Sequence, residues 1–136
     1  MKKIFLVFIA QILLVSIILG QGQKMIIKSI VADTDELIVD MNGRVQVTEW
    51  HEPYIRIASS IELNNFNHQT IRRLTMVGRY NIASEMINDV LMIKMPKVAH
   101  QIIINGEMLE EVIRYEIFVP KGTTVEVKGA HNYISF

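Results

Sequence analysis

The sequence predicts a mainly β domain, an antiparallel sandwich or a short β-solenoid-like stack, carrying one short helix. Three observations lead there: runs in which apolar and polar residues alternate, turn-forming residues at the breaks, and one segment with helical spacing. A doubly wound parallel sheet is excluded, because the chain has no room for repeated βαβ crossovers.

The first element is not part of the predicted domain. Lys2 and Lys3 precede an apolar run from Ile4 to Leu19, interrupted only by Gln11 and Ser16. A basic start, a short apolar stretch and the small residues of Gly20-Gln21-Gly22 have the form of a secretory signal peptide over residues 1–22. Cleavage is expected after Gly20 or Gly22. The run is shorter than the ~20 residues that a spanning helix needs, so no membrane span is expected in the mature form. About 114 residues remain as a single β-rich domain, 23–136, within the usual domain size.

Alternation begins in earnest at Leu37, Val39 and Met41, which interleave with Ile38 and Asp40. Val45 and Val47 follow between Arg44, Gln46 and Thr48. From Tyr54 to Leu63, Ile55, Ile57, Ile61 and Leu63 take one phase, while Tyr54, Arg56, Ser60 and Glu62 take the other. Leu91, Ile93 and Met95 repeat the pattern before Pro96. Ile113, Tyr115, Ile117 and Val119 repeat it before Pro120, and Val125 and Val127 close the series. Branched side chains suit such half-buried pleated surfaces. Asn42-Gly43 and Asn105-Gly106 read as tight hairpin turns, and Pro120-Lys121-Gly122 as a further turn.

One segment keeps a different period. Ile71, Leu74 and Val77 fall three apart, Asn67 can cap the start, and Gly78 sits where a left-handed C-terminal cap belongs. The spacing predicts a short helix over 67–77.

Composition narrows the chemistry. The absence of cysteine excludes a disulfide scaffold, a thiolate metal site, a cysteine nucleophile and a lipid-modified N-terminal cysteine,. Fourteen basic and fourteen acidic residues argue against a nucleic-acid binder,. Without Lys2 and Lys3 the balance is about −2, that of an ordinary surface module. The histidines at 51, 68, 100 and 131 lack ligand spacing, so neither a metal nor any other cofactor is expected. Ser59, Ser60 and Ser84 have no nucleophile-elbow context. Met76, Met86, Met92, Met95 and Met108 read as adaptable core filler.

Four stretches resemble a known family: NGRVQVTEW at Asn42–Trp50, RRLTMVGRYNI at Arg72–Ile82, LMIKMP at Leu91–Pro96, and YEIFVPKGTTVEV at Tyr115–Val127. Together they resemble the adhesin family of exported Bacteroidetes proteins whose modules are called head GIN domains. The resemblance implies an all-β, non-enzymatic binding or surface-presentation module, exported to the periplasm, the cell surface or the medium. Longer members continue through further glycine-rich turns, so this chain resembles a truncated or minimal member.

Two groups of residues are binding candidates. Trp50, Tyr54 and Phe118 share the phase of polar neighbours such as Arg44, Arg56 and Glu116, where aromatic rings can stack on sugars or anchor a protein. Arg72, Arg73 and Arg79 form the basic concentration. The expected partner is a protein or a glycan, and exposed sheet edges offer homo-assembly. Two rival readings stand beside this one. A cell-envelope glycan hydrolase would need a carboxylate pair from Glu49, Glu107 and Glu110. A small outer-membrane barrel would need a lipid-facing band that the charged positions interrupt.

Overall fold

The computed structural model describes residues 21–129, so the proposed signal segment before Gln21 lies outside the described residues. Among these described residues, ten strands form two four-stranded sheets and one small hairpin. In chain order they are β1 (Gln21–Ile30), β2 (Glu36–Asp40), β3 (Arg44–Trp50), β4 (Ile55–Asn67), β5 (Ala83–Ile87), β6 (Val90–Lys94), β7 (Ile103–Ile104), β8 (Glu107–Met108), β9 (Glu111–Pro120) and β10 (Thr124–Lys128). The helix α1 (His68–Met76) follows β4 directly.

The first sheet has the order β1-β4-β9-β3 and the second β10-β2-β6-β5. Both are mixed. The expected antiparallel pairing holds for β1 with β4, β4 with β9 and β5 with β6. The pairs β3–β9, β10–β2 and β2–β6 are parallel. Neither sheet closes on itself, since β1 and β3 edge one and β10 and β5 edge the other. That leaves no closed barrel among the described residues.

Two of the parallel pairs, β3–β9 and β10–β2, arise from two strand-turn-strand units. β2 leads through Asn42-Gly43 into β3 of the other sheet, and β9 leads through Lys121-Gly122 into β10. Asn42-Gly43 is therefore not the hairpin that its residues suggest. Gly43 has φ +144°, and a Cβ there would meet the Ile113 carbonyl oxygen, so the turn carries the chain from sheet to sheet. Asn105-Gly106 does close a hairpin, β7–β8, with φ of 51° and 79°, as a type I′ turn requires. Thr124 N–H donates to the Asp35 carbonyl at 2.7 Å and stacks one unit's turn on the loop that enters the other.

One core joins the sheets. Val39, Val45, Val47, Ile57, Ile71, Ile93, Ile117 and Val119 are completely buried in a cluster that draws on both sheets and α1. The register places Ile57 and Val47 on either side of Ile117. Tyr115 donates its hydroxyl to Met95 Sδ at 3.5 Å, and its burial pushes the phenol above its ordinary range. The Ser59 hydroxyl is buried with no hydrogen-bond partner among the described residues.

The helix forms where its signals place it. Asn67 Oδ1 accepts from the Thr70 N–H at 3.2 Å, and Ile71 and Leu74 turn into the core. Gly78 follows with φ +80°. Val77 departs from the helical stripe and is 69% exposed. The methionines divide in the same manner. Met95 is core, Met92 is half-buried, and Met76, Met86 and Met108 are exposed, so most of the expected filler lies outside the core.

Candidate functional site

Three strand ends build the site. Trp50 is the last residue of β3, Phe118 stands two residues before the end of β9, and Tyr54 immediately precedes β4. Because β9 lies between β4 and β3, these ends converge at one corner of the first sheet. Alternation fixes the face: Val45, Val47, Ile117 and Val119 fill the core, which turns Phe118 and its phase mates outward,.

The rings are in contact. The centroids of Trp50 and Tyr54 are 4.9 Å apart in an edge-to-face arrangement, and those of Trp50 and Phe118 are 5.2 Å apart at 35°. Both geometries are favourable for aromatic quadrupoles. The Trp50 indole N–H donates to the Tyr54 carbonyl at 2.8 Å. Its donor is therefore satisfied internally, and the ring offers apolar surface rather than a hydrogen bond. All three residues are half-buried. The polar alternation that singled them out in sequence corresponds to one contiguous patch.

The patch has polar neighbours. Arg56 on β4 and Thr48 on β3 are the register partners of Phe118 on its two sides. A recess of about 200 Å³ opens beside Tyr54, lined by Thr34, Asp35, Pro53, Pro120 and Thr123 among others. Farther along the same face, Gln23, Met25, Ser60, Glu62, Val112 and Arg114 contribute to a shallow depression of about 400 Å³.

The basic group is dispersed. Arg72 and Arg73 are exposed on α1, but Arg79 is buried and belongs to no surface cluster. Its Nε and Nη2 bond the Glu111 carboxylate at 3.0 and 2.5 Å. Nη1 and Nη2 also donate to the carbonyls of Lys97 and His100 respectively, each at 3.1 Å. The Tyr80 hydroxyl donates to the same Glu111 carboxylate at 2.7 Å. Glu111 holds Arg79 above its usual range through these hydrogen bonds, against the opposing effect of burial. Burial, reinforced by the bond to Glu111, pushes the Tyr80 phenol up. This group ties the segment after α1 to the 3₁₀ turn Pro96–Ala99 and to the start of β9. Sequence reading placed Arg79 with its basic neighbours because the partner, Glu111, lies thirty-two positions away.

Glu49 does not meet the other two carboxylates suggested for a hydrolase, and Glu107 and Glu110 are both exposed. Glu49 pairs with Val119, whereas Glu110 precedes Glu111 at the opposite end of β9. Eight strand positions separate Glu111 from Val119, about 26 Å at ~3.3 Å per residue. A glycosidase pair stands about 5–10 Å apart. Glu107 lies on the β7–β8 hairpin, which Asn65 near the end of β4 ties down through the Met108 carbonyl, also away from Glu49. Among the described residues no group of three or more histidines and carboxylates is placed to hold a metal ion. No helix among them is long and apolar enough to cross a membrane.

Fold and site together define a mixed two-sheet β domain with an outward aromatic corner. No family model matches the chain, and no curated protein matches it in sequence. Among solved structures it is similar to that of a putative cell adhesion protein from Clostridium sporogenes, at 12% identity and a TM-score of 0.46. The match covers 82% of this chain and 47% of that one, so the chain spans about half the length of that protein.

Proposed function

We propose that this chain is an exported, non-enzymatic binding or surface-presentation module of the adhesin type, related to the head GIN domains that its sequence resembles. The observation that carries the reading is the convergence of Trp50, Tyr54 and Phe118 at one corner of an outer sheet face. Rings held by their own contacts lose little freedom when a ligand covers them, which favours binding. Export rests on the form of residues 1–22. Gln21 and Gly22 belong to β1, which favours cleavage after Gly20, because that position leaves the strand whole. The partner is a protein or a glycan, met on this face.

A glycan array and a pull-down from envelope extract, run with the wild-type chain and with Trp50→Ala/Tyr54→Ala, test the reading. Wild-type binding should fall at least tenfold in the double variant, since aromatic anchors commonly carry 2 kcal/mol or more at an interface (about thirtyfold). Undiminished binding by a folded double variant would remove the aromatic corner from the function.

A further inference from the structure

The groups around the aromatic corner specify a ligand chemistry more narrowly than stacking alone. We infer that the corner binds a carboxylate-bearing saccharide, with a pyranose ring against Trp50, Tyr54 and Phe118 and its carboxylate on Arg56. This inference rests on the binding role proposed above and names the ligand class for that site.

Arg56 supplies the first argument. It is half-buried and sits beside Phe118 in the sheet register. Among the described residues its guanidinium has no hydrogen-bond or ion-pair partner. Glu116 lies two residues before Phe118 on the same face, so its position relative to Arg56 is diagonal, about 7–8 Å between backbones, and it forms no ion pair with Arg56. A half-buried arginine without an ion-pair partner, next to Phe118 in the sheet, is complementary to a planar anion, which its fork can bind through two parallel hydrogen bonds,.

The recess beside Tyr54 supplies the second. Thr123 already donates its hydroxyl hydrogen to the Pro120 carbonyl, and Thr34 donates to Asp89. The Thr123 oxygen therefore presents an acceptor, and the Thr34 oxygen, which also accepts from the Glu36 N–H, keeps one lone pair,. The Trp50 N–H is also committed. A site with acceptors in its recess, apolar rings at its centre and one cationic fork at its side suits a ring that carries hydroxyl donors and one carboxylate. A neutral sugar would leave Arg56 unpaired beneath it.

The test uses hexagalacturonate and the same hexamer fully methyl-esterified, titrated calorimetrically into the full chain at low salt. The wild type should bind the acid at least tenfold more tightly than the ester, and added salt should shrink the difference. Arg56→Gln should abolish the preference while leaving ester binding unchanged, and Arg56→Lys should retain part of it. Lys94→Gln, which removes a cation on β6 of the other sheet, should leave it intact. Thermal melting of each variant checks that the sheet is preserved, and Arg56→Lys carries the comparison if Arg56→Gln melts early. Equal binding of acid and ester, a preference that survives Arg56→Gln, or no binding of the acid would each overturn the inference. If Trp50→Ala/Tyr54→Ala still loses its array ligand in those cases, only the charge assignment fails and the aromatic binding role stands.

Discussion

Arg79→Met is expected to cost about 3 kcal/mol or more of folding stability, measured as the midpoint shift in urea at unchanged slope. The side chain is only 7% exposed, and that of its partner Glu111 is 11% exposed. Removing the guanidinium leaves a buried carboxylate whose remaining partner is the Tyr80 hydroxyl, and it strips two donors from the Lys97 and His100 carbonyls. The cost is thus mainly that of an uncompensated buried charge, not the net worth of the pair. Arg79→Met/Glu111→Leu should accordingly recover part of the loss, a non-additivity expected of residues in one network. Additive losses would mean that the two side chains do not act together. Binding through the aromatic corner should be unchanged in folded Arg79→Met, because Glu111 lies at the end of β9 opposite Phe118.

Ile117→Ala is expected to be about as damaging, at about 3–4 kcal/mol. Ile117 is completely buried in the central part of β9, with Ile57 and Val47 as its register partners, both also completely buried. Truncation would leave a cavity between strands that cannot close without disturbing antiparallel and parallel pairings at once. Ile117→Val removes one methylene group and should cost only about 1 kcal/mol. The same denaturation series would separate the two, and equal small losses would show that the sheet relaxes around the site.

These expectations draw on contacts that were unevenly legible in the chain. The phases of β2, β3, β4, β6, β9 and β10 followed from alternation, and the helix from Asn67, Ile71, Leu74 and Gly78. Pairing partners did not follow. Asn42-Gly43 has the residues of a hairpin turn, yet its strands enter different sheets, because partner choice depends on distant strands rather than on the turn. β1 escaped the pattern because Met25, Ile26 and Ile27 run consecutively, with Met25 and Ile27 exposed on the outer side. β5 is short and mostly exposed, so it carries little apolar signal. The aromatic corner was legible as a shared phase, and its three rings meet. Arg79 shows the opposite case: proximity in sequence to Arg72 and Arg73 suggested a surface cluster, while burial and Glu111 determine its place.

Trp50 is the single tryptophan of the chain, so its emission reports on the aromatic corner directly. A ligand taken from the array or pull-down, titrated into the wild-type chain, should shift and saturably change Trp50 emission with the same midpoint as binding measured by calorimetry. Saturable binding that leaves the emission unchanged would place the ligand elsewhere and contradict the account.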